Sequence, residues 1–112
     1  SIYEFQVLVI VFEDDLGARS HLYRPELYNA QIESGTFEEF RLEEDDGVFA
    51  TGVPLGQTCE NARVYTKLIP YGRFLLATMV SVSPESDENA IVAMLDRTNA
   101  FLKLRIENAH LG

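Results

Sequence analysis

The sequence predicts an α+β domain in which an antiparallel sheet of about five strands carries a long C-terminal helix on one face, in the order β-β-α-β-β-β-α. Three observations predict it. Residues 7–12, rich in β-branched residues, and 74–80, apolar apart from Thr78, are nearly continuous apolar runs, the pattern of strands covered on both faces. Residues 62–69 and 73–82 are two strand-like runs separated by Pro70-Tyr71-Gly72, a hairpin signature. From Pro84 onward, apolar residues recur at helical spacing almost to the C-terminus.

Taken in order, residues 2–12 form the first strand, and Glu13, Asp14, Asp15, Leu16 and Gly17 supply a turn that returns residues 18–23 as its hairpin partner. Pro25 suits the first position of a short helix and Gly35 suits its end, so residues 25–34 are expected to be helical. Thr36 with Glu39 makes a capping-box pattern and Phe37 with Phe40 an apolar stripe, which favours a helix over 36–46. The same stretch also suits a strand, because Phe40 and Leu42 alternate ahead of the turn pair Asp46-Gly47. Residues 48–53 are a short strand stopped by Pro54, and residues 55–61 are a polar connection.

Ser83 or Ser86 is expected to cap the last helix, with Pro84 just inside it and Glu85, Asp87 and Glu88 at its positive end. Ile91, Met94, Leu95, Thr98, Phe101, Leu102, Ile106 and Ala109 share one arc, opposite Asp96, Lys103 and Glu107. On that basis Asp96 is expected to tolerate substitution. A rival pattern ends the helix at Thr98-Asn99 and makes 102–107 a strand; one long helix is favoured. The order of elements is similar to the layout of longin and profilin-like regulatory domains, although no motif is shared.

Composition narrows the function classes. Residues 1–112 are the size of one domain, with 46% hydrophobic and 24% charged residues, so the chain has the means to bury a core. Eighteen acidic against nine basic residues give a net charge of -9, which repels phosphate backbones and anionic lipid and suits a protein partner, a basic one included. Direct nucleic-acid binding and membrane association are not expected. Cys59 is the lone cysteine, so no intramolecular disulfide forms and a cytoplasmic setting is expected. No apolar run approaches the roughly 20 residues of a membrane helix, and no basic region precedes the first run as in a signal peptide.

No constellation reads as a catalytic centre. Glu38, Glu39, Glu43, Glu44, Asp45 and Asp46 are dense in carboxylate but lack the alternating spacing and glycine of a calcium loop; they read as a solvated, partner-facing patch. His21 and His110 have no ligand spacing, and Glu60 beside Cys59 opposes thiolate formation. Residues 52–58 faintly resemble a phosphate loop but carry Gln57 where its lysine belongs. No cofactor is implied. Two features suit an interface: Tyr23, Arg24 and Tyr28 around Pro25, and Arg105, the single charge within the apolar arc, expected to pair with a sheet carboxylate.

The expected function is therefore a non-enzymatic protein-interaction module using an acidic surface or a sheet edge. One alternative is a small-molecule binder or enzyme with a pocket between sheet and helix, lined by Phe74, Met79, Met94 and Phe101. Another is an acidic mimic of nucleic acid. A homodimer is expected, because one long helix covers only one face of the sheet.

Overall fold

The computed structural model describes residues 2–22, 38–42, 47–52 and 62–109, with the backbone alone at 21–22 and 40–42. Its elements run β1 (Ile2–Val11), α1 (Asp15–Leu22), β2 (Glu39–Leu42), β3 (Val48–Gly52), β4 (Arg63–Tyr71), β5 (Phe74–Val82) and α2 (Glu88–Asn108). The fold is α+β, with an antiparallel sheet and a long C-terminal helix. The strands lie in the order β1-β5-β4-β3-β2, every neighbour antiparallel.

Two expected elements are corrected. Residues 18–22, read as a returning strand, belong to α1: Asp14 Oδ1 accepts the Gly17 N–H at 2.8 Å, which satisfies a free donor of the first helical turn, and Asp15 favours its positive end. Ala18 is fully buried by this helix. The helix favoured over 36–46 is a strand where the structure describes it, since Glu39–Leu42 pairs with β3 in register Glu39 to Thr51 through Leu42 to Val48. For 39–42 the local signal had a competing strand reading, and pairing with β3 chose it. Among the described residues the order is thus β-α-β-β-β-β-α, which departs from the expected one at its second and third elements.

The hairpin of β4 and β5 forms around a two-residue loop, Gly72-Arg73, because Tyr71 is already paired with Phe74. Gly72 has φ 58°, a conformation that costs a side-chain-bearing residue about 1–2 kcal/mol. Pro70 sits inside β4, just beyond Leu68, where the β3 pairing stops, so its missing N–H breaks no bond on that side.

Directly opposed residues of antiparallel strands share a face, and this sorts the core. One face presents Phe49, Tyr65, Val80 and Val82 to Ile91 and Leu95 of α2, and Phe74 and Leu76 to Ile106. The other joins Val48 and Leu75 with Ile10, Phe12 and Leu68. The single helix favoured over the last twenty residues is present and runs for 21 residues. Its cap is neither expected serine: Asp87 accepts the Asn89 N–H at 3.1 Å, while Ser83 and Ser86 bond one another in the preceding turn.

The buried arc of α2 is rotated from the expected one. Ile91, Leu95, Asn99 and Ile106 are buried, whereas Phe101 and Ala109 are exposed. The cause is polar. Asn99 Nδ2 donates to Thr78 Oγ1 at 3.3 Å, and Lys67 Nζ on β4 reaches Asp96 Oδ1 at 3.0 Å, pulling the helix toward β4. Lys103 over the Tyr71 ring at 5.6 Å and Glu107, which accepts from the Tyr71 hydroxyl, extend the same seam. Hydrophobic periodicity ignores polar residues, so it misses such an anchor.

Candidate interaction surface

Residues 7–12 were expected in a central, doubly covered strand, and β1 is instead the last strand of the sheet. Only β5 pairs with it among the described strands. Its large side chains stand in solvent: Ile2, Tyr3, Phe5, Val7, Leu8, Val9 and Val11 are between 39% and 57% exposed, while Leu75 and Leu76 on neighbouring β5 are at 1% and 0%. Among the described residues the run is thus covered only at Ile10 and Phe12, which pack against Val48 and Leu75, and the rest of it stays exposed.

The geometry of the edge follows from the register. Tyr71 and Phe74 close a two-residue loop, so their backbone groups face each other, and those of Phe74 turn away from β1. Alternation along β5 then points Arg73 and Leu75 toward β1, consistent with the 2.8 Å bond from the Phe12 N–H to the Arg73 carbonyl. On β1, Leu8 and Ile10 thus bond to β5, and the N–H and C=O groups of Phe5, Val7, Val9 and Val11 face outward. These four residues also lie opposite Val80, Thr78, Leu76 and Phe74, which puts their side chains on the α2 face.

Helix α2 extends this surface. Its Lys103, Asp96 and Glu107 flank is turned to β4, so the opposite flank, with Met94, Phe101 and Arg105, is turned toward β1. Phe101 and Leu104 are exposed at 58% and 53%. Arg105 does not make the expected ion pair: among the described residues its guanidinium lies 6.0 Å above the Phe101 ring, one helical turn away. The result is an apolar strip on β1 beside an aromatic and a cation, with Glu4 the only charge among the ten residues of the strand.

The other predicted interface residues, Tyr23, Arg24, Tyr28, Glu43, Glu44, Asp45 and Asp46, lie outside the described residues, as do Cys59, His110 and the expected helix over 25–34. The proposed pocket lining does not converge. Phe74 is buried in core on the α2 face, Phe101 is exposed, and Met79, opposite Gln6 and Thr66, projects from the other face. Among the described residues, the largest buried polar group is the Lys67, Thr78 and Asn99 set under α2. It holds the helix: Lys67 is tied to Asp96, Thr78 Oγ1 donates to the Lys67 carbonyl at 3.5 Å, and only Asn99 Oδ1 has no partner.

Among the described residues no helix is long and apolar enough to cross a membrane, and no three His, Cys, Asp or Glu side chains gather as metal ligands. The β1 surface could have been suspected from residues 2–11 alone, since ten residues with one charge, no proline and no lysine lack most of the sequence features that protect an edge. Comparison with protein families, with characterised proteins and with solved structures finds no match to this chain.

Proposed function

We propose that this chain is a non-enzymatic protein-interaction module whose contact surface is the outer edge and α2-side face of β1. The observation that carries this reading is the open ladder at Phe5, Val7, Val9 and Val11, combined with exposed apolar side chains at the same residues. Backbone groups that point outward in a row give affinity to an added strand, and alternate side chains give it specificity. Phe101 and Arg105 on α2 supply residue types that anchor interfaces. The acidic stretch at 43–46 is an accessory in this reading, its charge favouring encounter with a basic surface and opposing encounter with an acidic one.

A photo-activatable side chain placed at Val9 tests the proposal in intact cells. Ala100, exposed on α2 away from the strip, is the control. Adducts at Val9 and not at Ala100 are expected; equal labelling, or none at Val9, would remove β1 as the contact surface.

A further inference from the structure

We infer that the occupant of the β1 edge is a second copy of this chain, paired antiparallel β1 to β1 across a two-fold axis into one continuous ten-stranded sheet. The inference rests on the reading of β1 as an interaction edge and names its partner.

The two ends of the sheet differ in a way that points to pairing at one of them. β2 is four residues long and places Glu39 and Arg41 among Phe40 and Leu42, a short and charged strand of the kind that discourages addition. β1 is ten residues long, with its only irregularity at Ile2/Glu4. From Phe5 to Val11 it is regular, apolar but for Gln6, and open among the described strands. An edge left so in water is a site of uncontrolled association unless a partner fills it in the working state.

Charge selects the partner. The chain carries -9 overall, yet among the described residues β1 contributes only Glu4 as a charge and the Phe101 flank of α2 only the cations Arg97 and Arg105. A basic partner would gain little from so neutral a strip. A second copy matches it residue for residue, as two-fold interfaces require. A register centred on Val7 sets Val7 against its own copy and Phe5 against Val9 of the second copy, in both directions. All of these are outward-facing residues, so the three pairs exchange about six backbone hydrogen bonds. Aromatic against β-branched is a favourable cross-strand pair, and Glu4 falls opposite Ile10 of the second copy rather than against itself.

The seven exposed apolar side chains of β1 and Phe101 together offer on the order of 800 Å², an upper limit on what each copy can bury and of the same order as the about 800 Å² per partner of a stable complex. Because each copy is acidic, they repel at long range and salt screens that repulsion. Self-association through this strip therefore tightens as ionic strength rises, whereas docking of a basic protein weakens.

Sedimentation equilibrium, with amide hydrogen exchange on the same samples, tests the inference. The wild-type chain is expected at twice 12.6 kDa, with slow exchange at Phe5, Val7 and Val9, and a dissociation constant that falls from low to moderate salt. Val7→Lys places a charge on the seam, and Val7→Pro removes an outward N–H without touching a bond to β5. Both are expected to give folded monomers with a cooperative unfolding transition. Leu8→Pro removes an inward N–H and serves as the variant that damages the fold. A dimer that survives Val7→Lys and Val7→Pro overturns the β1 seam. A wild-type monomer with fast exchange at Phe5, Val7 and Val9 overturns the second copy while leaving the open-edge module standing. A monomer with those amides protected overturns both.

Discussion

Lys67 Nζ on β4 lies 3.0 Å from Asp96 Oδ1 on α2, with 6% of the lysine side chain and 50% of the aspartate side chain exposed. The ammonium is buried and the carboxylate is not. Removing the exposed member therefore takes an ion-pair partner from a buried charge, whereas removing the buried member leaves a solvated carboxylate, and the consequence is asymmetric.

Asp96→Ala is expected to destabilise the protein by about 1–3 kcal/mol, less than the full loss for a buried pair because water still reaches the aspartate side. Lys67→Met, which keeps the apolar stem and leaves Asp96 solvated, is expected within about 1 kcal/mol of wild type. Urea midpoints of the two single variants and the double variant decide this; equal losses would mean that the lysine charge is not what Asp96 supports. The outcome replaces the neutral Asp96 expected from the helical wheel.

Leu95 and Leu102 share the expected apolar arc but not the same burial. Leu95 is at 0% exposure within the Phe49, Val80 and Val82 cluster, while Leu102 is only partly buried against Phe74, Leu76 and Ile106. Leu95→Ala is expected to cost about 3–5 kcal/mol and Leu102→Ala about 1–2 kcal/mol, since the cost scales with the cavity left behind. Equal shifts in denaturant midpoint would place α2 at the rotation the sequence pattern implied.

Gly72→Ala is expected to destabilise the β4–β5 hairpin by about 1–2 kcal/mol through backbone strain alone, because a Cβ there meets nothing within 4 Å. Gly72→Asn, whose side chain tolerates the left-handed conformation, recovers part of the loss. Thermal unfolding of both variants reads the effect, and an alanine variant as stable as wild type would contradict the turn geometry.

The Tyr71 hydroxyl donates to the Glu107 carboxylate, and this bond, then partial burial and the carboxylate charge, raise the tyrosine above its ordinary value of 10.0. The folded state thus favours the neutral phenol. Its contribution is complete below the unfolded value and is lost as pH rises through the higher folded value. Wild type is expected to be more stable than Tyr71→Phe at neutral pH, with the gap closing above about pH 10. Urea unfolding at several pH values checks it; a constant gap would mean that the hydroxyl bond does not depend on the proton.

Much of this molecule is written locally. The β4–β5 hairpin follows from alternation around a glycine that can take φ 58°, and α2 from an acidic start and a sustained helical period. These signals act between residues close in sequence, where one chain segment is enough to set the outcome. What the tertiary structure alone decided is which neighbour each element meets. Residues 2–11 read as strand under either a central or an edge placement, and only the pairing of β5 with both β4 and β1 put them at the open end. Residues 18–22 and 39–42 took the opposite of their expected forms once a sheet was there to receive them. The rotation of α2, and with it the exposure of Phe101 and Arg105, depended on Lys67 and Thr78, which lie 29 and 21 residues from the Asp96 and Asn99 side chains they bond. Periodicity shows that a face is apolar; only the fold shows whether this chain covers it.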